Sequence, residues 1–131
     1  MPWDFDNKRP IYLQLVDAIQ LKIVSGEYAP GMRLPSVRDM ATEAGVNPNT
    51  MQRALSQLEN DCLLFTERTN GRFVTEDIHT IDSLRNKLAE GYVRFLWENL
   101  QQMGFTPDIA LQLIRKIIKG DEKENDRYSD M

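Results

Sequence analysis

Three planar, hydrogen-bonding side chains lie close together near the middle of the chain, at Asn49, Gln52 and Arg53. Amide and guanidinium groups of this kind can form paired hydrogen bonds with base edges in a DNA major groove. The chemistry open to them is recognition by hydrogen bonding. An ordinary solvated helix face would have a similar polar composition, so the surrounding elements must decide between these two interpretations.

The residues between these polar positions predict an amphipathic helix that begins at Pro48. Asn47 is a favourable N-cap, and proline is well suited to the first helical position. Apolar residues recur at helical spacing, at Met51, Ala54, Leu55 and Leu58. The three planar side chains and Ser56 therefore share the face opposite to an apolar stripe.

Another capped helix is predicted just before this one. Ser36 and Asp39 have the capping-box spacing, and Gly45 suits the left-handed residue that ends a helix near Ala44. Two helices joined by so short a turn must cross steeply, as in a helix-turn-helix. In that motif the start of the second helix contacts bases, and its free N–H groups can bind phosphate.

A short hairpin is predicted after the helix pair. Residues 63–66 are strand-like, residues 69–71 form a turn, and residues 72–74 return. Arg68 and Arg72 flank the tip, where together with Asn70 they could reach a phosphate or a minor groove. The alternative is that the hairpin only covers an edge of the core.

The charge of the chain is unusual for a DNA-binding protein. The formal net charge is −4, and residues 1–77 contain 8 Lys and Arg against 11 Asp and Glu. The favourable charge must therefore come from a few local arginines rather than from the whole domain. Binding by one subunit should be modest and salt-sensitive, so we expect a dimer that engages two half-sites.

Residues 78–120 predict two further helices with more apolar surface than they can cover against each other. Gly104 should end the first, Thr106 and Pro107 should begin the second, and Gly120 should end it. A second chain would bury the remaining surface; the alternative is packing on the chain's own winged domain. The side chains expected at the dimer interface are Leu84, Leu88, Tyr92, Phe95, Leu96, Leu100, Leu113, Ile114 and Ile117.

The expected fold is mainly α with a small β-hairpin wing. Residues 1–77 form a winged helix-turn-helix DNA-binding domain, and residues 78–120 form a two-helix dimerisation segment. Residues 121–131 are charged and without periodicity, so we expect a mobile tail.

Four segments carry a family resemblance: PIYLQL, SGEYAPGMRLPSVRDMA, GVNPNTMQRAL and GRFV. In this order they are similar to the N-terminal domain of GntR-family bacterial transcription regulators, over about the first 75 residues. The GVNPNT segment and the short remainder resemble the YtrA subfamily. Its members have a small helical dimerisation segment in place of a large ligand-binding domain.

The resemblance implies DNA contacts at particular positions. Arg38 matches an arginine that meets the DNA backbone and groove, and Gly71 matches the wing glycine that lets the backbone approach the duplex. Gln52 occupies a position where relatives often have a base-reading arginine, and Arg53 follows it, so the preferred base stays open. Cys62 replaces a glycine of many relatives, which predicts either a strained or a lengthened end of the recognition helix. The turn and the start of the recognition helix are matched by Asn47, Pro48, Asn49 and Thr50.

These features together predict a homodimeric transcription regulator that acts as a repressor on a two-fold, double-stranded DNA operator. The resemblance implies repression of a neighbouring transport operon, often one for an ABC transporter. A small-molecule effector is a further expectation, in a cleft between the helical segment and the winged domain. The competing interpretation is a winged-helix module for protein–protein interaction, which the acidic balance would suit.

Enzyme chemistry has little support in the sequence. The single histidine, His79, and the single cysteine, Cys62, form neither a zinc pattern nor a nucleophile with a base, so we expect no cofactor or metal. Cys62 is expected to be a small buried residue. The sequence has no signal peptide and no run of about 20 apolar residues, which predicts a cytoplasmic protein.

Overall fold

The computed structural model describes residues 3–129, with side chains from residue 3 to residue 124. The chain divides into two units, Met1–Lys87 and Leu88–Met131. The elements are α1 (Ile11–Val24), α2 (Val37–Ala44), α3 (Pro48–Asn60), β1 (Leu64–Glu67), β2 (Gly71–Val74), α4 (Ile78–Gln102) and α5 (Pro107–Ser129). This is the mainly helical fold with a β-hairpin wing that the sequence predicts.

The core of the first unit lies where α3 packs against α1 and α2. The apolar stripe of α3 is buried over its whole length, which confirms the amphipathic pattern. Burying a large aliphatic side chain contributes about 1.5–3 kcal/mol, so this stripe fixes which face of α3 points outward. The largest fully buried side chains are Leu15, Ile19, Ile23, Met40, Met51, Leu55, Leu58 and Val74.

Both helices of the pair begin with a side-chain cap, and a left-handed glycine ends the first of them. Ser36 Oγ accepts a hydrogen bond from the Asp39 backbone N–H at 3.1 Å. Asn47 Oδ1 accepts one from the Asn49 N–H at 2.8 Å. Gly45, with φ of 72°, ends α2 in the left-handed conformation. The predicted helix-turn-helix is therefore confirmed together with its N-caps Ser36 and Asn47, whereas only the Ser36 half of the predicted capping box is formed.

The hairpin has a third pairing segment that the sequence did not reveal. β1 and β2 are antiparallel, with Leu64 opposite Val74 at the buried base. The backbone before α2 also pairs with β2: Arg33 forms a bridge with Phe73. The Leu34 N–H donates to the Arg72 carbonyl at 2.8 Å. The wing is thus attached to the segment that leads into α2.

Cys62 is exposed, so the expectation that it is buried is wrong. It directly follows the C-cap of α3 with φ of 63°, whereas the next residue, Leu63, is buried. A residue in this left-handed position belongs to the turn between helix and strand. Its side chain therefore lies at the surface while Leu63 enters the core.

The second unit consists of the C-terminal part of α4 and of α5. Gly104, with φ of 90°, ends α4 as predicted, and α5 begins at Pro107 as predicted. Leu100 and Ala110 are buried. Between them the Phe105 N–H donates to the Leu100 carbonyl at 3.0 Å, which closes the turn.

The expected end of α5 at Gly120 is wrong, because the helix continues to Ser129. Glycine within a helix costs about 1 kcal/mol relative to alanine, which weakens a helix without stopping it. Good helix formers such as Glu122, Lys123 and Glu124 follow, and no proline ends the run. The mobility of residues 121–131 stays a prediction, and residues 130–131 lie outside the described part.

Candidate nucleic-acid interface

The N-terminal half of α3 presents the predicted recognition residues to solvent. Thr50 is half-buried beside them, and Gln52 Nε2 donates to Ser56 Oγ at 3.0 Å, one turn further along. Because the Asn47 side chain accepts from the Asn49 N–H, the side-chain amide of Asn47 stays fixed at the positive end of the helix. The exposed members of the set are Asn47, Pro48, Asn49, Gln52 and Arg53.

Arg53 lies over an aromatic ring of another helix. Its guanidinium carbon is 3.6 Å from the ring centroid of Tyr12, which belongs to α1. This is van der Waals contact between the two planar groups, and it places a half-buried tyrosine beside the α3 face. The sequence reasoning missed Tyr12, because only the packing of α1 on α3 brings the two residues together.

Arg38 and Arg68, two further residues predicted to contact DNA, are exposed. Arg38 lies in the first turn of α2, and Arg68 lies in the turn between β1 and β2. Among residues 3–124, neither guanidinium forms an ion pair with a carboxylate. Both positive charges are therefore available to an anionic partner.

Arg72 differs from the other wing arginine because it is already paired within the unit. Its Nε lies 2.5 Å from Glu59 Oε1 of α3, and its side chain is only 16% exposed. The carboxylate neutralises this charge and occupies one of its donors. A DNA contact at Arg72 stays a prediction, but the geometry gives it less free charge than Arg68.

Glu59 links the recognition helix to both strands of the wing. It accepts hydrogen bonds from the Thr66 hydroxyl of β1 and from Arg72 of β2. Partial burial by itself would raise the pKa of Glu59. The hydrogen bonds from Thr66 and Arg72, together with the charge of Arg72, outweigh this and leave the pKa below its ordinary value. The charged form of Glu59 therefore fastens the wing to α3.

Arg33 is a wing cation that the predicted contact residues did not include. It is exposed, and it lies so close to the wing glycine that a Cβ at Gly71 would sit 3.2 Å from Arg33 Nε. Gly71 itself has φ of 101°, a conformation that other residues rarely adopt. The bridge between Arg33 and Phe73 is a single pairing, so it leaves no periodic pattern in the sequence. The wing therefore presents Arg33 and Arg68 as unpaired cations among the described residues.

Asn70 at the wing tip is exposed and hydrogen-bonded to its own turn. Its Nδ2 donates to Glu67 Oε2 at 3.1 Å, and its backbone N–H donates to the Glu67 carbonyl at 3.2 Å. The Asn70 side chain can accept from a partner through its free amide oxygen. The turn is therefore stiffened by Glu67, whose charge opposes a close approach of phosphate.

The residues expected at the dimer interface fall into three groups. Leu84 packs against the core of the first unit, and Leu100 is only 7% exposed, so their own chain already covers both. Leu88, Leu113 and Ile114 are half-buried. The large apolar side chains of the set that are exposed to solvent are Tyr92, Phe95, Leu96 and Ile117.

The second unit also has an apolar groove between its two helices. The groove has a volume of about 220 Å³ and runs between α4 and α5. Apolar residues of this unit outside the predicted set are exposed as well, namely Val93, Met103, Ile109, Leu111 and Ile118. The residues that line the groove include Val93, Leu96, Trp97, Leu100, Ala110 and Ile114.

Neither a metal-ligand cluster nor a membrane-spanning helix occurs in the part of the chain that the structure describes. No cluster of three or more His, Cys, Asp or Glu residues there could hold a metal ion. Along residues 3–129, every helix is too short or too polar to cross a lipid bilayer.

Residues 11–74 match the family described as bacterial regulatory proteins of the gntR family. An uncharacterized HTH-type transcriptional regulator, YhcF of Bacillus subtilis, is 36% identical over 116 residues, which cover 88% of this chain and 96% of YhcF. The HTH-type transcriptional repressor YtrA of Bacillus subtilis is 34% identical over 97 residues, covering 74% of this chain and 70% of YtrA.

Solved structures of transcription regulators are also similar to this chain. A GntR family transcriptional regulator from Listeria monocytogenes superimposes with a TM-score of 0.80 at 36% identity, covering 86% of this chain and 98% of that chain. The AraR(DBD) structure in complex with operator ORX1 has a TM-score of 0.51 at 25% identity, covering 55% of this chain and 93% of that chain. With a family match across the winged unit and similarity to YhcF along nearly its full length, this chain belongs to the GntR family of bacterial regulatory proteins and is a YtrA-type member.

Proposed function

We propose that this GntR-family regulator binds double-stranded DNA as a homodimer, inserts α3 of each subunit into a major groove, and represses transcription from a two-fold operator. The observation that carries the proposal is the exposed N-terminal half of α3. Asn49, Gln52 and Arg53 point outward there because the opposite stripe is buried. Such an arrangement is what a recognition helix requires.

Two relatives support this function through what they are known to do. AraR(DBD), which is similar in fold, is seen in complex with an operator. YtrA of Bacillus subtilis is a transcriptional repressor. The alternative of a winged-helix module without DNA binding is not favoured by these relatives.

We assign base reading to the planar side chains of α3 and backbone contacts to the cations around it. Asn49, Gln52 and Arg53 can pair with base edges. Asn47, Pro48 and Thr50 bring the start of the helix close to phosphate, where the Thr50 N–H and the helix dipole favour an anion. The proposed phosphate contacts outside α3 are Arg33, Arg38, Arg68 and the backbone of Gly71. Asn70 is proposed to reach the minor groove instead, because its amide oxygen needs a donor and phosphate offers none.

Dimerisation is proposed through the apolar surface of the second unit. Phe95 is 70% exposed and Tyr92 is 67% exposed, and Leu96 and Ile117 are also open to solvent. Apolar patches of this kind mark interfaces, since a soluble chain gains by burying them. Two α3 helices about 34 Å apart would then meet successive turns of the same duplex face.

The test is selection of bound fragments from genomic DNA, followed by affinity measurements on the selected duplex at about 50 mM and about 200 mM salt. The parent protein should prefer the selected duplex and lose affinity steeply as salt rises. The selected site should have two-fold symmetry. The selected fragments would also show whether the target is a transport operon. That target and a small-molecule effector both stay predictions. A folded dimer that binds no duplex at the lower salt would contradict the proposal.

Replacing Arg38 by Ala tests the proposed phosphate contacts. The variant should bind every duplex more weakly and should reduce the salt slope by about 1 per subunit, because one phosphate contact is lost. Arg115→Ala, an exposed arginine of α5, is the matched control and should bind like the parent. Equal binding by both variants would remove Arg38 from the interface.

A further inference from the structure

Tyr12 stacks on Arg53, which lies on the face of α3 opposite to the buried apolar stripe. The ring belongs to α1, and its centroid is 3.6 Å from the guanidinium carbon of Arg53. A cation within about 6 Å of an aromatic centroid is attracted by the electron-rich ring face. The contact is made before any DNA is present, because it depends only on the packing of α1 against α3.

The stacked contact leaves the hydrogen-bonding groups of Arg53 free. A ring that lies over the guanidinium plane does not consume the N–H groups, which point outward within that plane. Among residues 3–124, Arg53 has no ion pair. Arg72 differs, because Glu59 neutralises its positive charge and accepts a hydrogen bond from its Nε–H. Tyr12 therefore holds Arg53 without competing with a ligand.

Holding the side chain in advance changes what Arg53 can do. A long arginine that is mobile in solution loses conformational freedom when it binds, and this loss weakens binding. Asn49 lies one turn before Arg53, so both side chains emerge along the same side of α3. A fixed guanidinium beside Asn49 can make a directional contact with a base edge, which a freely rotating one makes less well.

We infer that Tyr12 is a positioning residue of DNA recognition: its ring orients Arg53 for a directional contact, so that α1 contributes to sequence discrimination through Arg53. This inference rests on the proposed DNA-binding function. The face of the Tyr12 ring makes the contact with Arg53, and the Tyr12 hydroxyl has no role in it.

The experiment is a double-mutant cycle with Tyr12→Leu, Tyr12→Phe and Arg53→Ala. Affinities are measured for the most enriched duplex from an in vitro selection and for a shuffled duplex of equal length and composition. Tyr12→Leu should weaken binding to the selected duplex by about 3- to 10-fold, whereas Tyr12→Phe, which keeps the ring, should stay within about twofold of the parent. Binding to the shuffled duplex should change by less than about twofold for both variants.

The cycle gives the decisive comparison. In the Arg53→Ala background, Tyr12→Leu should cost less than about twofold, because the side chain that Tyr12 orients is gone. Fold is checked by circular dichroism and thermal unfolding. Tyr12→Met, which has a similar volume but no ring face, replaces the leucine variant if that protein is unfolded.

Several outcomes would overturn the inference while DNA binding itself stands. Losses that multiply in the double mutant would show that Tyr12 acts independently of Arg53. Equal losses for Tyr12→Phe and Tyr12→Leu would assign the effect to the hydroxyl. Parent-like binding by Arg53→Ala would remove Arg53 from the interface and Tyr12 with it. A parent protein without preference for any duplex would instead overturn the proposed function, and the inference would fall with it.

Discussion

At the scale of single residues, Cys62 shows how α3 ends and what that ending costs. The Leu63 N–H donates to the Leu58 carbonyl and the Cys62 N–H donates to the Glu59 carbonyl, both at 3.0 Å. These two hydrogen bonds form a Schellman motif, whose left-handed position is usually occupied by glycine. Cys62 fills it with φ of 63°, where a Cβ is crowded by the backbone.

Replacing Cys62 by Gly should therefore stabilise the protein. Removing the Cβ relieves about 1–2 kcal/mol of strain, and the extra freedom of glycine in the unfolded chain takes back part of it. We expect a net gain of about 0.5–1 kcal/mol in urea denaturation. Cys62→Ala is the matched control, since it removes the thiol and keeps the Cβ. A glycine variant no more stable than the alanine variant would show that the position is not strained.

Two arginines illustrate what residue-level sequence reasoning can and cannot provide. Arg53 lies on the polar face of α3 as predicted, because helical periodicity fixes side-chain direction. Arg72, expected to flank the wing tip and reach DNA, is instead only 16% exposed and already paired. Their partners could not be predicted. Glu59 and Tyr12 lie on other elements, and only tertiary packing brings them to the arginines.

At the scale of elements, the wing and α3 are joined by the charged form of Glu59. Its pKa is lowered in the folded protein, so the charged form stabilises the fold. This contribution is complete above the ordinary value of 4.5 and is lost as the pH falls through the lower, folded-state pKa. The link between helix and hairpin is thus present at neutral pH and absent in acid.

Glu59→Gln should lower the free energy of unfolding at pH 7 by about 1 kcal/mol, because the pair with Arg72 is partly exposed to solvent. The difference between parent and variant should shrink below pH 4.5 as the parent carboxylate takes up a proton. Denaturation curves at neutral and acidic pH provide the measurement. Glu90→Gln, at an exposed position of α4, should show no such pH-dependent difference. A constant gap at all pH values would contradict the assigned cause.

The start of α3 allows stability and binding to be separated with Asn47. Asp and Ser both cap helices well, so Asn47→Asp and Asn47→Ser should unfold at about the same temperature as the parent. Only the aspartate variant places a negative charge where phosphate is proposed to lie. We expect it to bind the selected duplex at least about 10-fold more weakly than the serine variant. Equal affinities would place the α3 N-terminus away from the DNA backbone.

The element boundaries were predictable where local chemistry decides them. Ser36, Gly45 and Asn47 fix the helix-turn-helix through hydrogen bonds within a few residues of the chain. Two features escaped prediction. The pairing of Arg33 with Phe73 joins distant segments, and the extension of α5 past Gly120 depends on the balance between one weak helix residue and several favourable ones.

At the scale of the whole molecule, the proposed dimer depends on apolar side chains that one chain leaves uncovered. Phe95→Glu should convert the protein to a monomer at micromolar concentration, because a buried, unpaired carboxylate is strongly unfavourable in an interface. Helical content should be retained, since Phe95 is 70% exposed. Sedimentation equilibrium gives the mass directly.

Gln101→Glu is the control for charge, because it adds one negative charge at another exposed position of α4. This variant should remain dimeric and bind the selected duplex like the parent. A Phe95→Glu protein that is still dimeric would move the interface elsewhere. A parent protein that is monomeric under the same conditions would contradict the dimer itself.

The acidic balance of residues 1–77 has a consequence for how this regulator finds its site. Because acidic residues outnumber basic ones there by 11 to 8, we expect encounters that bring carboxylates towards phosphate to be short-lived. If Arg38, Arg53 and the wing cations make the proposed contacts, collisions led by them should last longer than the others. Occupancy of bulk chromosomal DNA should then be low, so that a small number of copies per cell would keep an operator filled.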